Sequence, residues 1–274
     1  MKHKYFRWLM MILLLFMGNF ALAEETVTLQ PFGSTHIYRP TSGRSDAMAI
    51  LISGDGGWIH AVVDLAEKLS AQDTFVAGID INQYLSGSRK YSTSTCLDAG
   101  RDFADLAETL RNRYMLPQST NAVLIGYSSG ATLAYAAIAQ LPANTFSSAV
   151  SFGFCSDFEY SKPFCQTQTI RTLPMPNHKG TYVLPDAALQ TPWIVFQGSV
   201  DQVCNPEITK DFVRQVPSGE FVYLPKVGHG FAKEKYWLPQ FHHIFSRYDR
   251  ASAKWSDSFH PSELPDRTLG SDKE

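Results

Sequence analysis

The segment from Asn121 to Ala139, NAVLIGYSSGATLAYAAIA, constrains the fold more than any other part of the chain. An apolar run leads into Gly126-Tyr127-Ser128-Ser129-Gly130, and small, apolar residues follow. That order reads as strand, sharp turn, helix. The glycines flanking Ser128 make room for a turn that strains the central residue and lifts its hydroxyl to the sheet edge. Ala131, Ala134, Ala136 and Ala137 let the following helix pack close to the sheet. Five residues of Gly-x-Ser-x-Gly are a weak pattern that also fits an idle turn. Between an apolar strand and a helix, in the one place it occurs here, the pattern reads as a nucleophile elbow.

The rest of the chain supplies a matching frame. AMAILISG, TFVAGIDI, SSAVSFGF, TPWIVFQGS and GEFVYLPKVGHG read as further strands, and TVTLQPFGSTHIYRP as one or two edge strands. WIHAVVDLAEKLSAQ, CLDAGRDFADLAETLRNRY and EKYWLPQFHHIFSRYDR show helical spacing. Strands alternating with helices predict an α/β fold, a mostly parallel sheet covered on both faces, of the α/β-hydrolase kind. In such sheets ligands sit beyond the carboxyl ends of the strands. The glycine-rich loops SGDGGW, GYSSG, GSVDQVC and VGHG all fall there.

A serine hydroxyl needs a base to attack a carbonyl, and the base needs an orienting acid. In α/β-hydrolases the chain order is serine, acid, histidine. His229 follows the last strand in a glycine turn. His178 lies in a proline-rich loop, and His242 and His243 lie in a helical segment. The spacing therefore selects Ser128 as nucleophile, His229 as base and Asp201 as acid, with Asp157 as the rival acid one strand earlier. The oxyanion would be met by the N–H of Ser129 and by a backbone amide of Gly56 or Gly57. Asp55 reads equally well as a cap for the helix that starts near Trp58.

The first residues form a separate object. Lys2, Lys4 and Arg7 precede an apolar run from Leu9 to Phe20 and the small-residue stretch Ala21 to Ala23. This is the pattern of a secretory signal peptide cleaved after Ala23, and the run is shorter than the ~20 residues a bilayer span takes. The expected organisation is a leader over 1–23, a hydrolase domain over 24–250 with a small cap around 155–185, and a polar tail over 251–274. A periplasmic location follows from the leader. In an oxidising compartment the four cysteines are expected to pair, Cys155 with Cys165 across a short loop and Cys96 with Cys204. Their spacing does not suit zinc. With 44% hydrophobic residues, 18% charged residues and a net charge of −2, no basic face for nucleic acid is indicated.

LISGDGGW, IGYSSGA, SDFEY, GSVDQVC and GHGF together resemble the bacterial virulence family typified by VirJ and the C-terminal domain of AcvB, from about Ala47 to about Tyr236. The resemblance implies a periplasmic α/β-hydrolase, with Ser128, Asp201 and His229 as its triad; those three residues complete acyl-transfer chemistry, so no metal or organic cofactor is expected. It further implies an aminoacyl ester of a lipid head group, lysyl-phosphatidylglycerol, as substrate, or a role beside a type IV secretion system. A lysyl ester carries two ammonium groups, which Asp55, Asp157 and Glu159 would meet. Trp58, Phe158, Phe164, Trp193 and Trp237 fit either the core or contact with acyl chains and the membrane surface.

Overall fold

The apolar runs pair into one eight-stranded sheet. In a computed structural model describing residues 24–45, 47–117, 121–167 and 169–249, the strand order is β1-β2-β4-β3-β5-β6-β10-β11. The strands are β1 Glu25–Leu29, β2 Gly33–Tyr38, β3 Ala47–Ile52, β4 Thr74–Ile79, β5 Val123–Tyr127, β6 Ser148–Phe152, β10 Trp193–Gly198 and β11 Gly219–Leu224. β1 and β2 are antiparallel, β2 runs antiparallel to β4, and all other neighbours are parallel. β3, β4 and β10 are buried along their whole length, so they read as continuous apolar runs without alternation.

Helices cover both faces. On one side lie α1 Ala61–Ser70 and α6 Leu238–Asp249, which bury Leu65, Leu69, Phe241 and Ile244 against Leu51, Ile125 and Phe196. On the other lie α2 Ile81–Tyr91, α3 Ala99–Arg113, α4 Ser129–Ala139 and α5 Pro206–Val213. Every residue of α4 from Gly130 to Ala139 is buried, which is why its sequence shows no polar face. The expected leader over 1–23 and tail over 251–274 lie outside the described residues. Among the described residues no helix is long and apolar enough to cross a membrane.

The span around 155–185 builds a second, three-stranded sheet, β7 Asp157–Phe158, β9 Thr181–Val183 and β8 Thr172–Pro174. Here the cysteine pairing differs from expectation. The bonds join Cys96 to Cys165 and Cys155 to Cys204, with Cα–Cα distances of 4.8 and 5.1 Å. The ten residues after Cys155 do not loop back. Tyr160 donates its hydroxyl to Leu85 O, Lys162 reaches Ser88 O and Ser92 O, and Leu97 and Phe164 form a parallel bridge that sets Cys165 beside Cys96. Cys155 stays at the exit of β6, next to the turn after β10 that carries Cys204. Closeness in sequence misled because the chain leaves Cys155 extended.

Two such bonds suit an oxidising, extracytoplasmic compartment. The Cys96–Cys165 bond closes a separation of 69 residues. Its removal by Cys96→Ala/Cys165→Ala is expected to cost about 4 kcal/mol of stability by loop-entropy reasoning, read as a lower urea midpoint.

Candidate active site

The turn between β5 and α4 presents Ser128 in a left-handed conformation, φ 55° and ψ −123°, rare for a residue with a side chain. Gly130 makes the turn possible: a Cβ there would come within 2.4 Å of Ser53 O and 2.6 Å of Ile52 O. The N-terminus of α4 is thereby pressed onto the end of β3. Gly54, at that end, is as constrained, since a Cβ would meet the Ser128 Cβ at 2.9 Å.

The loops after β10 and β11 bring the acid and the histidine to the same edge. His229 Nε2 lies 3.0 Å from Ser128 Oγ, and His229 Nδ1 lies 2.9 Å from Asp201 Oδ2. With Nδ1–H donating to the carboxylate, Nε2 is left as the acceptor for the serine hydroxyl. Asp201 is buried, with its side chain sealed from solvent. Its Oδ1 accepts from the amides of Val203 and Cys204 at 2.9 Å each, and Oδ2 also accepts from Gln197 Nε2 at 2.9 Å. Four N–H groups thus fix the carboxylate plane. The rival Asp157 sits on β7, facing Tyr182 across the small sheet.

At this edge opens a cavity of about 480 Å³, lined by Ser128, His229, Asp55, Gly56, Ile59 and Val203 among others. Ile59, half exposed, and Val203, 67% exposed, give the mouth an apolar rim. Tyr127 lines it too, its ring 5.5 Å from that of His229. Burial, and then the Asp201 charge, push the Tyr127 hydroxyl above its usual range, so it remains a neutral wall.

The expected oxyanion donors separate by their bonds. Ser129, first residue of α4, has an N–H that no helical carbonyl accepts. Gly57 gives its N–H to Gly54 O at 2.9 Å, and Trp58 gives its own to Asp80 Oδ2. Among the described residues the amides of Asp55 and Gly56 carry no such acceptor.

Asp55 lines the cavity and accepts from Ser129 Oγ at 2.7 Å. Asp157 and Glu159 do not line it, nor does any described residue of 155–185. Trp58 turns away from the cavity. Its indole stacks on His36 and donates to the Tyr38 hydroxyl. Phe158, Phe164, Trp193 and Trp237 are buried in the core. Ligand-type atoms of Asp201, Cys204 and His229 lie within 4.8 Å of one another. The Cys204 sulfur is bonded to Cys155 and cannot ligate a metal. Gln197, absent from the sequence reading, carried one usable signal, an amide within an otherwise apolar buried strand.

Sheet order, elbow and the histidine loop define the α/β-hydrolase fold. Among solved structures the chain is similar to the esterase domain of a Rhodothermus marinus protein, at 14% identity, 84% of this chain and 98% of that one, with a TM-score of 0.54. It is similar to Est1E from Butyrivibrio proteoclasticus at 12% identity, 83% and 99% coverage and a TM-score of 0.56. A dienelactone hydrolase from Anabaena variabilis matches at 17% identity, 82% and 96% coverage and 0.54. Residues 46–156 match the model of the bacterial virulence protein (VirJ) family, which bears out the resemblance read from the motifs over that stretch. No curated protein matches.

Proposed function

We propose that this chain is a serine hydrolase of carboxylic esters, acting in the periplasm. The observation that carries the reading is the unbroken hydrogen-bond path Ser128–His229–Asp201 at the floor of an open cavity. His229 takes the Ser128 proton as Oγ attacks the ester carbon. The Ser129 amide, with one from Asp55 or Gly56, meets the oxyanion. His229 then protonates the departing alcohol, and a water activated by the same imidazole releases the acid. Asp201 holds the imidazole in its tautomer and balances the positive charge that develops on it.

Within that class the substrate is an aminoacyl ester of phosphatidylglycerol, the lysyl ester first. The VirJ match supports this reading, as do the Asp55 carboxylate beside the nucleophile turn and the apolar rim of Ile59 and Val203. An anion next to an oxyanion hole hinders a neutral ester, whereas it favours a substrate with an ammonium group one carbon from the carbonyl.

The test compares turnover of lysyl-phosphatidylglycerol with that of neutral acyl esters, with Ser128→Ala as the blank. The lysyl lipid is expected to win. Asp55→Asn should then raise KM for it about tenfold and leave neutral esters unchanged or faster. Good cleavage of neutral esters with none of the lysyl lipid would reduce the protein to a general carboxylesterase. A Ser128→Ala strain with every wild-type phenotype intact would instead make it a non-catalytic partner of a secretion machine.

A further inference from the structure

The turn that carries Asp201 has little to hold it. Gln202 and Val203 point to solvent, with Val200 57% and Val203 67% exposed, so the turn buries almost no apolar surface of its own. Its buried anchor is Cys204, at 3% exposure. The backbone of Cys204 serves the acid twice. Its N–H donates to Asp201 Oδ1, and its carbonyl accepts from Gln197 Nε2, the same amide nitrogen that donates to Asp201 Oδ2. Both carboxylate oxygens therefore depend on where Cys204 sits.

Its sulfur is tied to Cys155, in a segment already fixed to the rest of the site. Cys155 O accepts from Thr132 of α4, the helix that Ser128 caps, and Phe154 O accepts from Thr209 of α5. Two residues earlier, Gly153 backs the imidazole; a Cβ there would lie 3.1 Å from His229 Nδ1. The bridge thus joins the segment behind the histidine to the turn that holds the acid. Cys96–Cys165 lies at the far end of α4, where Gln140 Nε2 donates to Cys165 O, and among the described residues it makes no hydrogen bond to Asp201, Gln197 or His229.

We propose that the Cys155–Cys204 disulfide is a positioning device for Asp201, so that hydrolysis requires oxidation of this one cysteine pair. The inference rests on the hydrolase reading and adds a condition to it: the chain is inefficient as a dithiol and becomes competent on meeting a protein disulfide oxidant. In reverse, a dithiol reductant breaks the Sγ–Sγ bond by exchange. Cys155 and Cys204 each gain a hydrogen, and the reductant closes to its own disulfide with loss of two electrons. A slackened turn lets the carboxylate drift by a fraction of an ångström to an ångström, and misplacements of that size cost about tenfold to a hundredfold in rate.

The experiment measures kcat, KM and urea midpoint with a small neutral ester for wild type, Cys155→Ala/Cys204→Ala and Cys96→Ala/Cys165→Ala. The downfield proton resonance of His229 Nδ1–H, which reports the bond to Asp201, is recorded for each. Loss of Cys155–Cys204 is expected to lower kcat at least about tenfold with KM within about twofold, and to weaken or remove that resonance. Loss of Cys96–Cys165 is expected to lower the urea midpoint and leave kcat and the resonance in place. Wild type treated with dithiothreitol should follow the first variant and recover with oxidised glutathione. Wild-type kcat in a folded Cys155→Ala/Cys204→Ala protein, or equal kcat losses in the two variants, overturns the inference. If oxidised wild type cleaves no ester, the hydrolase reading fails by itself, and the resonance alone decides whether the bridge holds the acid.

Discussion

Ser128→Ala is expected to lower kcat for ester hydrolysis by about 10⁴ to 10⁶-fold while the fold and substrate binding persist. Among the described residues, the hydroxyl next to Ser128 in the chain cannot take over. Ser129 Oγ, one residue away, is already donated to Asp55 at 2.7 Å and has no path to His229. Stopped assays on purified protein, with a fluorophosphonate probe as a second readout, check this: wild type labels at Ser128 and the variant does not. Activity within tenfold of wild type would sink the nucleophile assignment. A companion variant separates chemistry from strain. Ser128 holds φ 55°, a conformation that costs a non-glycine residue about 1–3 kcal/mol. Ser128→Gly should therefore be as inactive as the alanine variant, yet more stable than it by about 1 kcal/mol in urea. A serine retained at a place where glycine is more stable is the trade expected of a functional turn.

The sheet was legible because its central strands are buried on both faces, which leaves uninterrupted apolar runs ending in glycine. The three residues at the centre of the site were legible because each sits in a loop at the carboxyl end of a strand, in a fixed chain order. Other parts were hidden for physical reasons. The helix Ile81–Tyr91 has the sequence INQYLSGSRKY and buries only Ile81, Tyr84, Gly87 and Ser88, so its polar surface reads as a loop. Its one clear mark is Asp80, whose carboxylate caps the amides of Asn82 and Gln83. The helix Pro206–Val213 carries a start signal, Asn205 as cap and Pro206 in the first turn, but at eight residues it is too short for its apolar spacing to stand out. The disulfide pairing was not legible. It depends on where Tyr160 and Lys162 dock on the helix before Cys96, and no periodicity encodes that. The carboxylates Asp157 and Glu159 stood near the right strand in sequence, yet β6 ends before them and the chain turns toward the small sheet.

Asp201→Asn is expected to lower kcat by about 10³ to 10⁴-fold, with KM little changed, and the reason lies in which way the amide must face. Oδ1 receives two backbone N–H groups, from Val203 and Cys204, neither of which can be reversed. The asparagine oxygen is therefore held at that end, and the NH₂ group is turned toward His229 Nδ1 and Gln197 Nε2. Facing a donor, the imidazole gives up its Nδ1 proton and carries it on Nε2, where it points at Ser128 Oγ and can no longer accept the serine proton. The side-chain amide of Gln197 meets a second donor where it had an acceptor. Its own Oε1 is buried without a partner among the described residues, so a flip of Gln197 would satisfy the new NH₂ but abandon the bond to Cys204 O. Either arrangement adds buried polar groups without partners, at about 1–3 kcal/mol each. The variant should thus lose both activity and stability, unlike Ser128→Ala, which should lose activity alone. Kinetics and urea unfolding on the same preparations check both halves. An Asp201→Asn protein that is unstable but turns over ester at the wild-type rate would show that the carboxylate is a structural anchor and that another group orients His229.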